Sequence, residues 1–522
     1  MPLNRKIAFY LFFLGFFGLA GSIAVSKFTT SLSMFLMAIA WFVQWNWKEK
    51  WERFKSLKWV LMASISLFLI FVMGLIHSEN MSYAMKDLKI KAPLFIIPVV
   101  FALGERFDYK KVIGALVLMV SSAIAASIIG VVNYQLKLGT DQEITDLRAL
   151  SPFISLIRLS LILSFGFGMG LWGLIKLKSK LKWLLLLPIS WIVFFFGFSQ
   201  SLTGIFLVPI ISISFLFFAF KKQKKLAALF AVVFISIGLY GGYEFNKVYQ
   251  LVFDLKPINE LHETPNGNKY KHFQDHLDRE NGYHVQSNIC YRELKQEWGE
   301  RSDLDILANF EEFKIKAVLM RYLTSRGLTK DSLGIANLSD AEIKAVENGV
   351  TNVYYINRNP ILVRLHQSLM EIQYAIMKGQ YYRSSVAGRL MFAKTGISII
   401  SDHLFFGVGT GDVKDVFLEK YSQLSGEESK FDKKSHNQFI TTGVALGLIG
   451  LILFIGIIVF QMFKYEGPLK YLFALGQLVL LLSFLWEDTL ETQAGVAIFT
   501  VITNVFMFSS EQKIKKGKEP IR

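Results

Sequence analysis

The stretch that decides the fold runs from Ser385 to Gly450 and contains, in order, AGRLMFAKTG (387–396), FFGVGTG (405–411) and SHNQF (435–439). The last motif leads directly into an apolar run with glycines at 443, 447 and 450. An arginine, a glycine turn and a His-Asn pair are thus gathered where a long polar segment meets an apolar one. An uninterrupted apolar run of this kind is typical of a membrane-spanning helix. We therefore expect the three motifs at one face of a bilayer.

The whole chain is unusually apolar. Of its 522 residues, 52% are hydrophobic and 15% aromatic, and the mean hydropathy is +0.39. Soluble domains are rarely so apolar, and several runs reach the about 20 residues that a span needs. The sequence predicts an all-α polytopic membrane protein with about twelve transmembrane helices, at roughly 7–25, 28–46, 58–77, 91–104, 111–133, 155–176, 183–198, 203–220, 226–243, 438–463, 471–486 and 494–509.

The placement of charge predicts the orientation. The formal net charge is +16, yet residues 244–435 hold 25 of the 57 basic and 26 of the 41 acidic residues. The rest of the chain therefore holds 32 basic and 15 acidic residues, mostly in loops after even-numbered spans and in the tails. By the positive-inside rule these loops and both termini are cytoplasmic. We expect a multi-pass protein of a bacterial inner membrane, and a near-neutral insert of this kind does not suggest a nucleic-acid partner.

Three regions follow from these patterns. Residues 1–243 form an N-terminal membrane region with spans one to nine, and residues 244–437 form a large periplasmic insert that carries part of the candidate site. Residues 438–522 form spans ten to twelve and a basic cytoplasmic tail. The insert is predicted to be mainly helical, because apolar residues recur at helical spacing in three segments, at 304–323, 361–377 and 389–400.

His436 is the first candidate for chemistry. It stands just before the tenth predicted span, at the expected membrane surface. A neutral imidazole can accept a proton from a hydroxyl near neutral pH, and Asn437 can orient the ring or bind a substrate hydroxyl. The structural alternative is an interfacial histidine at a helix start, with Ser435 as the N-cap. The local sequence by itself favours this alternative.

Basic residues on the same side are candidates for binding an anion. A guanidinium group binds diphosphate through two parallel hydrogen bonds and keeps its charge. Arg389 precedes the glycine turn, Arg158 lies a few residues inside the sixth span, and Arg148 lies just outside it. Ionisable groups inside a span are costly and are candidates for function, but snorkelling to the interface is the alternative. Lys89 and Lys91, at the mouth of the fourth span, are weaker candidates.

An acidic turn separates the last two predicted spans. Glu487, Asp488 and Glu491 can neutralise the arginines, position His436 or bind an acceptor. A solvated turn with no further role is an equally good interpretation. The sequence leaves these alternatives open.

Several common kinds of site are missing from the sequence. The predicted first periplasmic loop is only Ser26-Lys27, so it offers no carboxylates to a metal. Cys290 is the single cysteine, which excludes an intramolecular disulfide and a thiolate metal site. No strand precedes the glycines at 407–411, so they do not form a dinucleotide-binding loop. We expect no metal and no cofactor, with arginines stabilising the anion instead.

Together these residues resemble the superfamily of bacterial O-antigen ligases and polymerases. The resemblance covers most of the chain and rests on the number of spans, the long insert before the tenth, Gly-Arg-x-x-x-x-Lys-x-Gly at 388–396, Gly-Val-Gly at 407–409 and His436-Asn437 followed by Gly-Leu-Ile-Gly at 447–450. The segment from Arg321 to Asn348 is similar to members from the Bacteroidetes lineage.

The resemblance implies a GT-C-like enzyme of lipopolysaccharide biosynthesis in the cell envelope. Such enzymes transfer a glycan from undecaprenyl diphosphate with inversion and without a metal, and ligases use a sugar of lipid A–core as acceptor. It assigns the base to His436 and diphosphate binding to Arg389, with Lys394 and Asn437 in support. Members often have Ser-Arg between spans seven and eight, where this chain has Ser201-Leu202. Arg158 or Arg148 is then expected to replace that arginine.

Other functions remain open at this point. A polysaccharide polymerase or a protein O-oligosaccharyltransferase shares the donor chemistry and differs in its acceptor. Polymerases often have two sizeable periplasmic loops, and the single long insert favours a ligase. A polysaccharide flippase is a rival from another class. The predicted spans are nearly free of charge at mid-depth and show no convincing internal repeat, which argues against a transporter.

Overall fold

A computed structural model describes residues 3–137, 147–220, 224–273, 278–307, 309–310, 313–378, 387–425 and 433–509. The basic residues at 221–222 and the predicted basic tail beyond residue 509 lie outside the described part. The chain divides into two compact units. The first comprises Met1–Phe234 and Phe392–Arg522, and the second comprises Ile235–Met391. Residues 392–437, assigned to the insert from the sequence, thus belong to the first unit.

The first unit is a bundle of apolar helices, and most predicted spans overlap with a helix. Among the described residues eight helices are long and apolar enough to cross a membrane, and three more are shorter. This confirms an all-α polytopic membrane protein. The helices up to the second unit are α1 (Leu3–Ser22), α2 (Lys27–Val43), α3 (Trp47–Met73), α4 (Met81–Lys91), α5 (Pro93–Leu103), α6 (Tyr109–Lys137), α7 (Leu156–Lys176), α8 (Leu186–Phe198), α9 (Leu202–Phe220) and α10 (Lys224–Phe253).

The fourth predicted span differs most from its prediction. We expected one segment at 91–104, tilted or broken at Pro98. The chain instead breaks at Pro93, which occupies the first position of α5, where its missing N–H is not needed. Pro98 lies inside α5. Lys91 therefore ends the short helix α4, outside the apolar segment.

The second unit contains most of the predicted insert. Its helices after α10 are α11 (Tyr291–Arg301), α12 (Ile315–Ser325), α13 (Ser332–Ala336), α14 (Asp340–Glu347) and α15 (Pro360–Lys378). Two short antiparallel hairpins pair β1 (Arg279–Glu280) with β2 (Tyr283–His284), and β3 (Asn309–Phe310) with β4 (Phe313–Lys314). The helix predicted at 304–323 therefore begins only at Ile315, since pairing of β3 with β4 takes up its first half. A separate core surrounds Trp298, Leu319 and Tyr322.

The chain returns to the first unit within α16 (Ala387–Asp402) and continues through α17 (Val413–Ser425), α18 (Gln438–Lys464), α19 (Lys470–Phe484) and α20 (Gln493–Met507). Helix α20 lies at the centre of the bundle, because every residue from Gly495 to Met507 is buried. Helix α7 packs beside it and is also mostly buried. Both helices begin at the candidate site that is described in the next subsection.

Helix α18 is interrupted at Gly447, and the glycine turn of the second motif repairs the interruption. Gly447 has φ +65°, a conformation that a residue with a side chain rarely adopts. In an unbroken helix the N–H groups of residues 448 and 449 would bond to the carbonyls of residues 444 and 445. The turn instead bonds to these two carbonyls and these two N–H groups. The four backbone hydrogen bonds are Val408 N to Val444 O (2.9 Å), Gly409 N to Ala445 O (2.9 Å), Leu448 N to Leu404 O (2.7 Å) and Ile449 N to Phe405 O (3.4 Å).

This exchange explains why the two motifs are rich in glycine. Non-helical backbone at membrane depth is tolerated only where protein satisfies its polar groups. A Cβ atom at Gly407 would lie 2.5 Å from the backbone nitrogen of Gly447. The turn is also tied to α3, because Thr410 Oγ1 donates to the carbonyl of Phe71 (2.6 Å).

We predict that Gly447→Ala destabilises the protein strongly. The new Cβ would lie 2.3 Å from the carbonyl carbon and oxygen of Phe405. The φ of +65° and ψ of −170° at Gly447 are essentially restricted to glycine and cost another residue about 1–3 kcal/mol. Thermal unfolding in detergent is expected to show a clearly lower midpoint. Gly456→Ala in the same helix is the control, because nothing lies within 4 Å of its Cβ position. Equal melting temperatures for the two variants would contradict the backbone exchange.

Candidate active site

The acidic turn, residues 485–492, joins α19 to α20, and its first two carboxylates are buried. Glu487 is 5% exposed and Asp488 is 8% exposed. A short 3₁₀ helix covers Thr489–Glu491, and Thr492 caps α20 by accepting a hydrogen bond from Gly495 N (3.3 Å). Buried carboxylates are stable only when they are paired or protonated. The partners of the three carboxylates therefore define the site.

Arg158 is the partner of Glu487. Its Nη1 lies 3.0 Å from Glu487 Oε1, and its Nη2 donates to the carbonyl of Asp488 (3.4 Å). Ser155 caps the start of α7 and so places Arg158 in the first helical turn. Arg158 is only 8% exposed. The guanidinium is therefore built into the acidic turn instead of snorkelling to the interface.

His436 is bonded through its backbone to Asp488, and its ring faces Glu487. Its backbone N–H donates to Asp488 Oδ2 (3.0 Å), and its Nδ1 lies 3.8 Å from Glu487 Oε2. The backbone of His436 has φ +52°, a left-handed conformation that is costly for a non-glycine residue. The ring of Phe392 lies beside the imidazole, with centroids 5.7 Å apart. Strain held in place by buried partners is typical of functional positions.

The other oxygen of Asp488 is used as well. Thr441 Oγ1 donates to Asp488 Oδ1 at 2.7 Å. Burial raises the pKa of the Asp488 carboxyl above its ordinary value, against the opposing effect of the Thr441 hydrogen bond. Asp488 is thus a fixed link between the His436 backbone and the first turn of α18.

Asn437, and not Ser435, is the N-cap of α18. Its Oδ1 accepts from Ile440 N (3.0 Å), and its Nδ2 donates to the carbonyl of Leu485 (2.9 Å). Both ends of the amide are therefore used inside the protein. The Ser435 hydroxyl instead bonds within the segment, to the Asn437 carbonyl at 2.8 Å. The expected cap at Ser435 is wrong, and Asn437 positions His436 through the backbone.

Glu491 belongs to a buried network of two lysines and two carboxylates. Lys91 Nζ lies 2.7 Å from Glu491 Oε1 and 2.7 Å from Asp87 Oδ1, and Lys434 Nζ pairs with Glu491 Oε2. Lys91 is 1% exposed. Burial opposes ionisation of Glu491, but the charges of Lys434 and Lys91 outweigh it and hold its pKa below the usual range. The network ties the turn to α4 and to the segment just before His436.

The other predicted residues differ in their burial. Arg389 is half-buried on α16 and belongs to the second unit, Arg148 is exposed on a 3₁₀ turn at Leu147–Leu150, and Lys394 is exposed on α16. Lys89 is exposed, unlike Lys91. The structure thus brings together His436, Asn437, Arg158 and the acidic turn.

Sequence reasoning missed Asp87 and Lys434. The spacing of Asp87 and Lys91 by four residues on one helix is a recognisable ion-pair signal. Lys434 stands two residues before His436, but nothing in its surroundings indicates a buried partner. In the described part of the chain, no three His, Cys, Asp or Glu side chains form a group that could hold a metal.

The loop that lacks the expected arginine packs against the helix that carries Arg158. Ser201 is buried, and its hydroxyl lies 2.7 Å from the hydroxyl of Ser160. Ser160 is two residues beyond Arg158 on α7. Residues two positions apart on a helix do not face each other, and the Arg158 guanidinium instead contacts Glu487 and the carbonyl of Asp488.

Comparison with known proteins finds a family model that matches part of the chain. Residues 346–455 match the family model described as O-antigen ligase. The matched segment contains Arg389, the glycine turn, His436 and the interruption of α18. No curated protein matches the chain.

We predict that Lys91→Met destabilises the folded protein by about 3–5 kcal/mol, because it leaves Asp87 and Glu491 buried with too little positive charge. The measurement is thermal or denaturant unfolding in detergent. Lys89→Met on the same helix is the control and should unfold like the wild type, since Lys89 is exposed.

The double variant Asp87→Asn/Lys91→Met should recover part of the loss, because it also removes one of the two stranded charges. A Lys91→Met protein as stable as Lys89→Met would show that the network is not needed.

Proposed function

We propose that this protein transfers a glycan from undecaprenyl diphosphate to a sugar hydroxyl of lipid A–core. The match of residues 346–455 to the O-antigen ligase model supports membership of the O-antigen ligase superfamily. We place the reaction at the periplasmic face of a bacterial inner membrane, in agreement with the basic loops of the opposite face. The observation that carries this proposal is the position of His436, whose partly exposed imidazole faces the buried carboxylate of Glu487. The side chain of His436 is 25% exposed, so a substrate can reach it.

His436 is the general base in this proposal. With its Nδ1 proton directed at Glu487, its Nε2 has the lone pair that accepts the proton of the acceptor hydroxyl. The Nδ1–Oε2 distance of 3.8 Å is long for a hydrogen bond, but such bonds are often long before substrate binds. Glu487 fixes the tautomer and stabilises the imidazolium that forms. Arg158 in turn holds Glu487 in place.

The chemical step is a single displacement. The acceptor oxygen bonds to the anomeric carbon as the bond from that carbon to the diphosphate oxygen breaks. The proton goes to His436, and the electron pair leaves with the undecaprenyl diphosphate. Attack opposite the leaving group inverts the configuration at the anomeric carbon.

The donor diphosphate requires positive charge at the membrane surface. We assign Arg389 and Arg148 to its oxygens, because guanidinium binds such groups through two hydrogen bonds. Arg158 is bonded to Glu487 and to the carbonyl of Asp488. In this proposal it adds positive charge near the diphosphate without contacting it. Arg158 or Arg148 remains our proposed substitute for the arginine missing at position 202.

We predict that the purified chain in lipid vesicles transfers glycan from undecaprenyl diphosphate to lipid A–core in excess chelator at an undiminished rate. The arginines, and not a metal, neutralise the leaving group in this proposal. The shift of lipid A–core to higher mass on a gel measures the product. Loss of transfer in chelator, with recovery on adding a divalent cation, would falsify the metal-independent mechanism.

The acceptor is tested in the same assay. Extension of the lipid-linked glycan, with no product on lipid A–core, would assign the chain to the polymerases.

Arg389→Lys keeps the charge but loses the paired hydrogen bonds, so it should raise the donor concentration needed for half-maximal transfer.

A further inference from the structure

A large cleft lies within the second unit, between α12 and α15. Its volume is about 1070 Å³, at the upper end of ordinary ligand sites. Residues of strand β1 and of the turn at residues 348–351 also line it. All of its lining residues belong to the second unit. None of the residues assigned above to proton transfer or diphosphate binding lines it.

Three tyrosines give the cleft aromatic surfaces that are held in place. Lys316 Nζ lies 3.8 Å from the ring centre of Tyr291, and Lys378 Nζ lies 4.8 Å from that of Tyr374. The Tyr355 hydroxyl lies 3.3 Å from Nδ1 of the buried His366. Tyrosine offers a large rigid contact area with little loss of conformational freedom on binding.

The acidic groups of the cleft are paired with basic residues of the same unit. Glu280 is 2% exposed, and it accepts hydrogen bonds from Arg321 Nε and from Asn352 Nδ2 (2.7 Å). Lys378 pairs with Asp278 at 2.6 Å. Arg279, Lys314 and Lys316 also line the cleft and form no ion pair with a described carboxylate, so the cleft keeps some positive charge.

Amide side chains supply the hydrogen-bonding capacity that remains. Gln286, Gln367 and Asn348 line the cleft, and the described residues supply no hydrogen-bond partner to their amides. Each amide offers two donors and an acceptor. Alternating donors and acceptors beside aromatic faces match a ligand with many hydroxyl groups and with flat C–H surfaces.

We infer that this cleft binds a segment of a carbohydrate chain, away from the sugar that reacts. The C–H face of a sugar ring packs on Tyr374, and its hydroxyls bond to the amides. The inference rests on the proposed function for the source of the carbohydrate, which is the glycan being transferred. It adds a subsite that makes a long glycan bind better than a short one.

The test uses the full-length protein in lipid nanodiscs. The probe is the soluble glycan released by mild acid from the host's undecaprenyl diphosphate donor, and its dissociation constant is measured by calorimetry. We expect Tyr374→Ala to weaken binding about tenfold, in the range of aromatic contacts. Tyr374→Phe keeps the ring and should bind like the wild type. Tyr283→Ala is the control, since Tyr283 is exposed in the same unit and does not line the cleft.

A second variant guards against misfolding. Gln367→Ala removes an amide without a partner among the described residues, so it should fold normally and still weaken binding. In the transfer assay both variants should raise KM for a long-chain donor and leave kcat, and KM for a single-sugar donor, unchanged. Wild-type affinity in Tyr374→Ala and Gln367→Ala would overturn the inference.

The two proposals can fail separately. If glycan binding depends on Tyr374 but the protein transfers glycan to no acceptor, the proposed function is contradicted. The proposal that the cleft binds carbohydrate would then still stand. Transfer by the wild type with no effect of either variant on binding or KM would reject the cleft alone.

Discussion

The constraint behind this structure is that a membrane supplies no partner for a polar group. Every interrupted backbone bond and every buried charge must be satisfied by the protein. The interruption of α18 at Gly447 is tolerated because the turn at residues 404–409 takes over its hydrogen bonds. The carboxylates of the acidic turn are tolerated because each has partners, Arg158 for Glu487 and two lysines for Glu491.

The same pairs that satisfy buried charge also fix the candidate base. The acidic turn contacts α4, α7 and the segment before α18, and Asp488 of this turn bonds to the backbone of His436. Asp488 holds the backbone of His436 in a strained conformation, while Glu487 faces its ring. A backbone fixed before substrate arrives reduces the reorganisation that proton transfer needs.

The sequence predicted local features better than distant pairings. The spans followed from hydropathy, and the acidic turn and His436 followed from their place at span ends. The interruption of α18 was missed, because its hydrogen bonds join segments about 40 residues apart that carry only glycine as a signal. The ion pair of Lys91 with Glu491 joins residues about 400 positions apart, so hydropathy could not separate Lys91 from the exposed Lys89.

The most direct test of this account is the rate of glycan transfer by His436→Ala, compared with His403→Ala. His403 is an exposed histidine of the first unit and serves as the control. A general base typically contributes about 10²–10⁴-fold in rate. We predict a loss of that size for His436→Ala, with unchanged unfolding temperature and donor binding, and no loss for His403→Ala. A well-folded His436→Ala protein that transfers glycan at the wild-type rate would contradict the account.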